Sequence, residues 1–258
     1  MLKQNPWEGY VKPGRMFGNL YFVGTKPSST HIIDTGDGLI LIDPGHLENF
    51  YLVVNNIWEL GFNPKDIKII LLSHCHFDHT DATERLVNMC GAKVYLGKDD
   101  IPLWKGDIYH YDFTPFRVDE FMSDGDVIEL GNTKIECIST PGHTDGTMSF
   151  LFDVTDGKNT YKACMFGGAG INTMTKEFIE KNNLTYDHRQ KFLDSIERLE
   201  KLPVDINIGN HVGGNNTVEN LQALEENPEN NPFVNPQQWK DFLKERKERI
   251  LEIIQKDE

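Results

Sequence analysis

The sequence is short of basic residues. It holds 26 Lys and Arg against 40 Asp and Glu, which gives a formal charge of −14. Proteins that bind nucleic acid usually present a basic face. The one basic cluster, KERKER near the C-terminus, alternates in sign, a pattern typical of a solvated helix face. We therefore expect no nucleic-acid partner.

Long apolar runs are also missing. No segment approaches the roughly 18 apolar residues that a membrane span requires. The N-terminal stretch MLKQNPWEGYVKPG has a lysine but no apolar segment of the kind found in secretory signals. We expect no membrane partner and a cytoplasmic location, or a periplasmic or secreted one if a signal has been removed.

Cysteines are few and are not paired in sequence. There are four, with no CxxC spacing, so neither a zinc knuckle nor a redox pair is indicated. Three of them lie in or beside apolar runs, which predicts small buried residues in a reducing compartment. The four positions are Cys75, Cys90, Cys137 and Cys164.

Strand and helix patterns alternate along the 258 residues. Apolar runs between Gly, Asp and Asn turns predict strands, and apolar residues at helical spacing predict helices. The first half reads as strands NLYFVGT and THIIDTGDGLILIDPG, a helix in LENFYLVVNNIWELG, a buried strand IKIILLS and a helix in TDATERLVNMCG. In the first helix, the apolar residues at helical spacing are Leu47, Tyr51, Val54, Ile57 and Trp58. Asp81 and Glu84 have the spacing of a capping box.

The second half repeats this plan. Strands are predicted in DVIELGNTKIECIST, TMSFLFDVTDGKNTYKACMF and VDINIG, and helices in DHRQKFLDSIERLEKL and TVENLQALEE. The tail puts Trp239, Phe242, Leu243, Ile250 and Ile254 along one stripe. We predict an α/β fold with one layered domain over residues 1–258, ending in an amphipathic helix at about 236–256.

Ligand-type side chains are concentrated directly after the buried strand IKIILLS. The stretch LLSHCHFDHTDA places His74, His76, Asp78 and His79 within six positions. Neutral histidine and ionised aspartate are the ligands that zinc prefers, and a loop at a strand end can direct alternate side chains to one point. An exposed polar turn would rarely hold four such residues, so this stretch predicts a metal site.

Two later histidines occupy equivalent places. His143 lies in STPGHTDG and His211 in INIGNHVGG, each in a glycine-flanked turn after an apolar strand. Glycine lets the backbone approach closely at such turns. Both halves of the chain therefore place histidines at the carboxyl ends of strands.

Together these motifs resemble the metallo-β-lactamase superfamily. HxHxDH, then PGHT and a late histidine, with LILIDPG upstream, match its pattern from about Asn19 to Leu224. The resemblance implies an αββα sandwich, two mixed β-sheets flanked by helices, with a pair of zinc ions at one edge. By motif position, a first zinc would be held by His74, His76 and His143, and a second by Asp78, His79 and His211. Asp43 in LIDPG would support the ligands without binding metal.

This chain departs from the superfamily pattern at one position that distinguishes its subfamilies. Most of its hydrolases carry Gly-Asp after the strand that here reads YKACMF, and that aspartate bridges the metals. This chain has Gly167-Gly168, and Cys164 lies within the strand. The remaining ligand set is similar to the third subclass of metallo-β-lactamases. That group usually has serines near GGAG that hold a substrate carboxylate, whereas Gly168 and Gly170 stand here, which predicts poor anchoring of β-lactams.

The resemblance implies a hydrolase acting on a small-molecule lactam, lactone, amide or ester. Two Zn²⁺ with Asp78 and one hydroxide keep a net charge of +2, which lowers the pKa of bound water towards roughly 7. Asp78 would orient the nucleophile. Three alternatives stay open: a thioester hydrolase, a di-iron oxidoreductase, and a non-catalytic metal-binding or regulatory protein on the same fold. The aromatic segment from Trp104 to Phe116 could shape a pocket or simply pack on the sheet.

Overall fold

The computed structural model describes residues 5–108 and 114–257. Its first sheet has seven strands in chain order, antiparallel from β1 to β4 and parallel from β4 to β7. The strands are β1 Gly14–Phe17, β2 Leu20–Phe22, β3 His31–Asp34, β4 Leu39–Ile42, β5 Ile67–Leu71, β6 Lys93–Gly97 and β7 Glu120–Met122. The sheet is therefore mixed, with its parallel half formed by the strands that precede the main motifs.

The second sheet has five strands in the order β12-β11-β10-β9-β8. All its pairs are antiparallel except β11 with β12, which run parallel. The strands are β8 Val127–Leu130, β9 Thr133–Ser139, β10 Met148–Thr155, β11 Thr160–Met165 and β12 Ile206–Ile208. This sheet is mixed as well.

Helices flank the two sheets. They are α1 Phe50–Glu59, α2 Phe77–Thr80, α3 Thr83–Cys90, α4 Ile101–Lys105, α5 Lys176–Lys181, α6 Asp187–Leu199, α7 Thr217–Glu226 and α8 Pro236–Asp257. One buried core lies between the sheets, a second between the seven-stranded sheet and α1 and α3, and a third between the five-stranded sheet and α6 and α8. The αββα sandwich expected from the sequence is confirmed.

The C-terminal helix follows its predicted pattern. Trp239, Leu243 and Ile250 are buried in the third core, with Phe242 and Ile254 packed against it. In the part of the chain that the structure describes, no helix combines the length and apolarity needed to cross a membrane.

The apolar stripe predicted for α1 is buried only in part: Ile57 is buried and Val54 packs against the second core. The helix buries Leu52, Val53 and Ile57, whereas Tyr51 and Trp58 are 47% and 56% exposed. Asn56 is also buried on this helix, because its side-chain amide donates to the carbonyl oxygens of Val11, Val23 and Gly24. The apolar pattern alone does not locate the buried face of α1, because that face includes the polar Asn56.

The capping box predicted for α3 was wrong. The helix begins at Thr83, and no side chain caps its N-terminus. The Asp81 carboxylate instead accepts the backbone N–H of Thr114, and Glu84 accepts that of Arg117. Both acids tie the helix to a distant segment, which local spacing does not reveal.

The carboxyl ends of the parallel strands meet at one edge of the sandwich. Asp43 follows β4, the HCHFDH stretch follows β5, and Asp100 follows β6. From the second sheet, the loops after β9, β11 and β12 reach the same edge with His143, Gly167–Gly170 and His211. Six loops therefore build one site.

Candidate metal centre

Three histidines form a compact triangle at this edge. The rings of His74, His76 and His143 lie with their centroids 4.6 to 4.7 Å apart, and all three are buried. One ring nitrogen from each lies within 4.8 Å of the others. We call these three residues the first ligand group.

A second cluster adjoins the first. Asp78, His79 and His211 also offer one ligand atom each within 4.8 Å of one another. Oδ2 of Asp78 lies 3.4 Å from Nε2 of His79 and 3.6 Å from Nε2 of His211. The ring of His79 is 4.4 Å from that of His74, so this second ligand group shares a boundary with the first.

Hydrogen bonds fix which ring nitrogen points into the centre. The Nδ1 atoms of His143 and His211 lie 2.8 and 2.7 Å from the carbonyl oxygens of Gly170 and Pro27. A carbonyl accepts, so Nδ1 carries the proton in both rings and Nε2 keeps its lone pair. Such outer bonds orient metal-binding histidines.

Asp43 performs the same task for two other rings. Its carboxylate lies 2.8 Å from Nδ1 of His79 and accepts both the N–H and the hydroxyl of Ser73, the hydroxyl at 2.6 Å. The Ser73 oxygen lies 3.0 Å from Nδ1 of His74. Asp43 adopts φ +53, a left-handed conformation rare for residues other than glycine, in keeping with strain at a functional site.

The residues present fit a metal. The Nε2 atoms of His74 and His79 are buried without a hydrogen-bond partner, although buried polar atoms are nearly always satisfied. Both atoms point towards the other candidate ligands, which is the arrangement that a bound cation would complete. Five imidazoles and one carboxylate form a donor set suited to zinc.

The protonation states of the first group favour metal binding. Burial lowers the pKa of His143 to about 4 and, with the neighbouring histidines, holds the pKa values of His74 and His76 well below the usual value. These rings are neutral at pH 7. Their lone pairs are available because no proton has to be removed.

The second group carries a charge pair. Burial would raise the pKa of Asp78, but the adjacent His79 and His211 lower it to about 2. Burial would lower the pKa of His79, yet the carboxylates of Asp78 and Asp43 raise it to about 9. Asp78 is therefore ionised at neutral pH and available as a ligand.

The glycine stretch after β11 packs against His143. A Cβ atom at Gly168 would lie 2.8 Å from Cβ of His143, and one at Gly170 would lie 3.0 Å from its Cε1. Glycine at both positions lets this backbone approach His143 closely, most tightly at Gly168. Cys164 is buried within β11 in the core beneath α6, away from the ligands. Cys75 and Cys137 are also buried and Cys90 is half-buried, and all four are free thiols.

A cavity of about 260 Å³ opens over the two groups. Four of the candidate ligands line it, together with Phe77, Gly170, Asn172 and Asn210. The Asn210 amide is held by the carbonyl oxygen of Gly167, whereas the Asn172 side chain is exposed at the rim. The cavity can therefore take a small molecule next to both groups.

Sequence reasoning missed several residues of this site. Ser73, Asp100, Thr144, Asn172 and Asn210 were not singled out, although Ser73 and Asp100 follow strand ends, as His74 does. Of the aromatic segment 104–116, residues 109–113 lie outside the described residues. Phe116 packs on the outer face of the seven-stranded sheet with Trp104, whose indole donates to its carbonyl.

Comparison with known proteins agrees with this geometry. Residues 23–157 match the model of the metallo-beta-lactamase superfamily, which is more than half of the chain. The native FEZ-1 metallo-beta-lactamase from Legionella gormanii superposes with a TM-score of 0.86 at 31% identity over 95% of each chain. BJP-1, a subclass B3 metallo-beta-lactamase of Bradyrhizobium japonicum, gives a TM-score of 0.87 at 25% identity over 98% of this chain and 97% of that chain.

A curated relative matches over a shorter stretch. The probable polyketide biosynthesis zinc-dependent hydrolase PksB of Bacillus subtilis is 34% identical over 110 residues, covering 39% of this chain and 44% of that protein. The matched region is thus less than half of that relative. The fold and site define a metal-dependent hydrolase. The chain belongs to the metallo-beta-lactamase superfamily, and its structural likeness extends to the B3 subclass.

Proposed function

We propose that this protein is a dizinc hydrolase that opens a carbonyl–nitrogen or carbonyl–oxygen bond in a small lactam, lactone, amide or ester. The observation that carries the proposal is the convergence of two three-residue ligand groups at one edge of the sandwich, where four of the six residues line one cavity. His74, His76 and His143 would hold one ion, and Asp78, His79 and His211 the other. Zinc bound there supplies a Lewis acid and an activated water at neutral pH.

The residues of the chain define how a substrate would be handled. Asp78 is ionised and lines the cavity, so its carboxylate can accept a hydrogen bond from a water and orient it. Phe77 offers one apolar wall. Asn172 presents an amide at the rim that can donate to a substrate carbonyl or carboxylate.

Substrate anchoring separates this protein from a dedicated lactamase. Gly168 and Gly170 have no side chains to hold a carboxylate, and both positions lie against His143. The neutral Asn172 gives a weaker hydrogen bond to an anion than a charged partner would. We therefore expect β-lactams to be turned over with a high KM.

The test combines metal content with a substrate panel. Protein purified without added metal is analysed for zinc and iron, reconstituted with zinc, and assayed with nitrocefin, simple lactones and aryl esters, with and without a chelator. We expect two zinc ions per chain and slow nitrocefin hydrolysis, abolished by chelation.

Other outcomes would redirect the proposal. Fewer than two metals after reconstitution contradicts the paired site. Iron dominating in native and recombinant protein favours an oxidoreductase. No turnover by the two-zinc protein favours a non-catalytic role, and a low nitrocefin KM refutes the anchoring argument.

A further inference from the structure

Asp100 is a buried carboxylate between the two loops that carry the first ligand group. It follows β6 and is 1% exposed. Oδ2 accepts the backbone N–H of Cys75 at 2.7 Å and the hydroxyl of Thr144 at 3.0 Å, and Oδ1 accepts the N–H of Gly146 at 2.8 Å. These partners lie 25 to 46 residues away in the chain.

Two of the three partners are next to a candidate ligand, and the third, Gly146, lies three residues after His143. Cys75 stands between His74 and His76, so the bond to its N–H holds the peptide that joins those histidines. Thr144 directly follows His143. One carboxylate thus binds residues beside all three members of the first ligand group, through the backbone N–H of Cys75 and the side-chain hydroxyl of Thr144.

The surrounding backbone leaves little freedom for another arrangement. A Cβ atom at Gly97 would lie 2.0 Å from the carbonyl oxygen of Gly146, and one at Gly146 would lie 2.2 Å from the Asp100 nitrogen. The end of β6 therefore packs backbone to backbone on the His143 loop. Thr144 is held further by a 2.9 Å bond to the hydroxyl of Thr147.

The second ligand group is supported by different residues. Asp43 binds His79, and the Pro27 carbonyl binds His211. The three partners of the Asp100 carboxylate all lie in the loops of the first group. The two groups are therefore held by separate supports, apart from the Ser73 hydroxyl that joins Asp43 to His74.

We propose that Asp100 is a positioning residue that sets the separation of His74 and His76 from His143 and thereby the metal affinity of the first ligand group. The inference rests on the proposed function for the metal, but not for the substrate. Charge-assisted bonds to N–H and O–H groups in a buried site are strong, so losing one should let the loops move apart. A misplacement of a few tenths of an ångström is enough to weaken a metal site.

The test separates the two groups by working in single-site backgrounds. His211→Ala leaves the first group complete, and His143→Ala leaves the second. Asp100→Asn is introduced into each, and zinc affinity is measured by competition with a chromophoric chelator. Asparagine keeps the shape but turns an NH₂ towards a donor, so at least one of the three bonds is lost.

We expect Asp100→Asn to lower zinc affinity about tenfold or more in the His211→Ala background and to leave it within about threefold in the other. The visible spectrum of Co²⁺ bound to the first group should change in intensity, which reports altered ligand geometry. Asp205→Asn is the matched control. Its carboxylate accepts the Lys162 N–H at 2.9 Å, away from both groups, and no change is expected.

Several results would overturn the inference. Unchanged affinity and spectrum in folded Asp100→Asn would do so, as would equal losses in both backgrounds. If that variant does not fold, Thr144→Val removes one of the three bonds, and an unaltered first-group affinity then refutes the proposal. Failure of the proposed function looks different: zinc binds as expected and depends on Asp100, but no substrate is hydrolysed.

Discussion

His143 and Gly170 are in direct contact, with 2.8 Å between the ring Nδ1 and the carbonyl oxygen. The glycine-rich stretch after β11 is therefore part of the support for a candidate ligand. A side chain at Gly170 would meet Asn172 Oδ1 at 2.9 Å and the His143 ring at 3.0 Å, so it would press on the candidate ligand.

Replacing Gly170 by serine should damage the site. The new Cβ would lie 3.0 Å from Cε1 of His143 and 2.9 Å from Oδ1 of Asn172. We expect first-group zinc affinity to fall about tenfold and nitrocefin turnover to fall with it, measured by chelator competition and steady-state kinetics. Gly213→Ala is the control, since nothing lies within 4 Å of its Cβ. A lower KM with full zinc content would instead show that a serine anchor fits.

The two ligand groups should be separable by mutation. His143→Ala should remove the first zinc and His211→Ala the second, each leaving about one ion per chain by elemental analysis. Cys164→Ser should keep both ions because Cys164 is buried in the core beneath α6. A zinc ion lost from the Cys164 variant would mean that the second group is misassigned.

Asp43→Asn should weaken the second group. The carboxylate holds Nδ1 of His79 at 2.8 Å, and an amide can present its NH₂ to that ring or to Ser73. Losing such a support typically costs 10- to 100-fold in metal affinity. Chelator competition in the His143→Ala background measures it. An affinity equal to that of the parent would show that the ring is held by packing alone.

The stability of the metal-free protein should depend on pH through Asp100. Burial, opposed by its three hydrogen bonds and aided by Asp145, raises its pKa to about 6 from 3.8. The folded state then holds this proton more tightly than the unfolded chain. The contribution of Asp100 to stability is therefore greatest below pH 4 and decreases as the pH rises to 6, by on the order of 3 kcal/mol.

Asp100→Asn cannot titrate, which isolates this effect. Urea unfolding of both proteins in chelator from pH 4 to pH 7 should show the free-energy difference between them changing in that window and levelling above it. A difference that is constant with pH would show that the Asp100 pKa is the same in the folded and unfolded chain.

The sequence was informative where a feature is local. The bounds of α7 and the stripe of α8 follow from composition and spacing. The six candidate ligands were found because they follow strand ends, and the structure brings them together in two groups. Whether they bind metal stays a prediction.

The features that could not be predicted from the sequence depend on contacts between distant segments. Asp81 was read as a cap, yet its partner Thr114 lies 33 residues away. Asn56 is buried because three carbonyls of the N-terminal segment converge on it. In the sequence LGKDD, Asp100 has the pattern of a surface acid, and only its contacts with the His143 loop show that it is buried. Local spacing carries no information on such partners.

The candidate ligands come from parts of the chain that are far apart in sequence. Bound metals would therefore also have a structural role, as cross-links between these segments. Zinc at the first group would join the segment after β5 to the segment after β9. Zinc at the second group would join the same segment after β5 to the segment after β12. With four free thiols and no disulfide among the described residues, these ions would be the only cross-links. Closing long loops lowers the conformational entropy of the unfolded chain. Metal loss would therefore remove cross-links between the two halves of the sandwich and lower the stability of the fold.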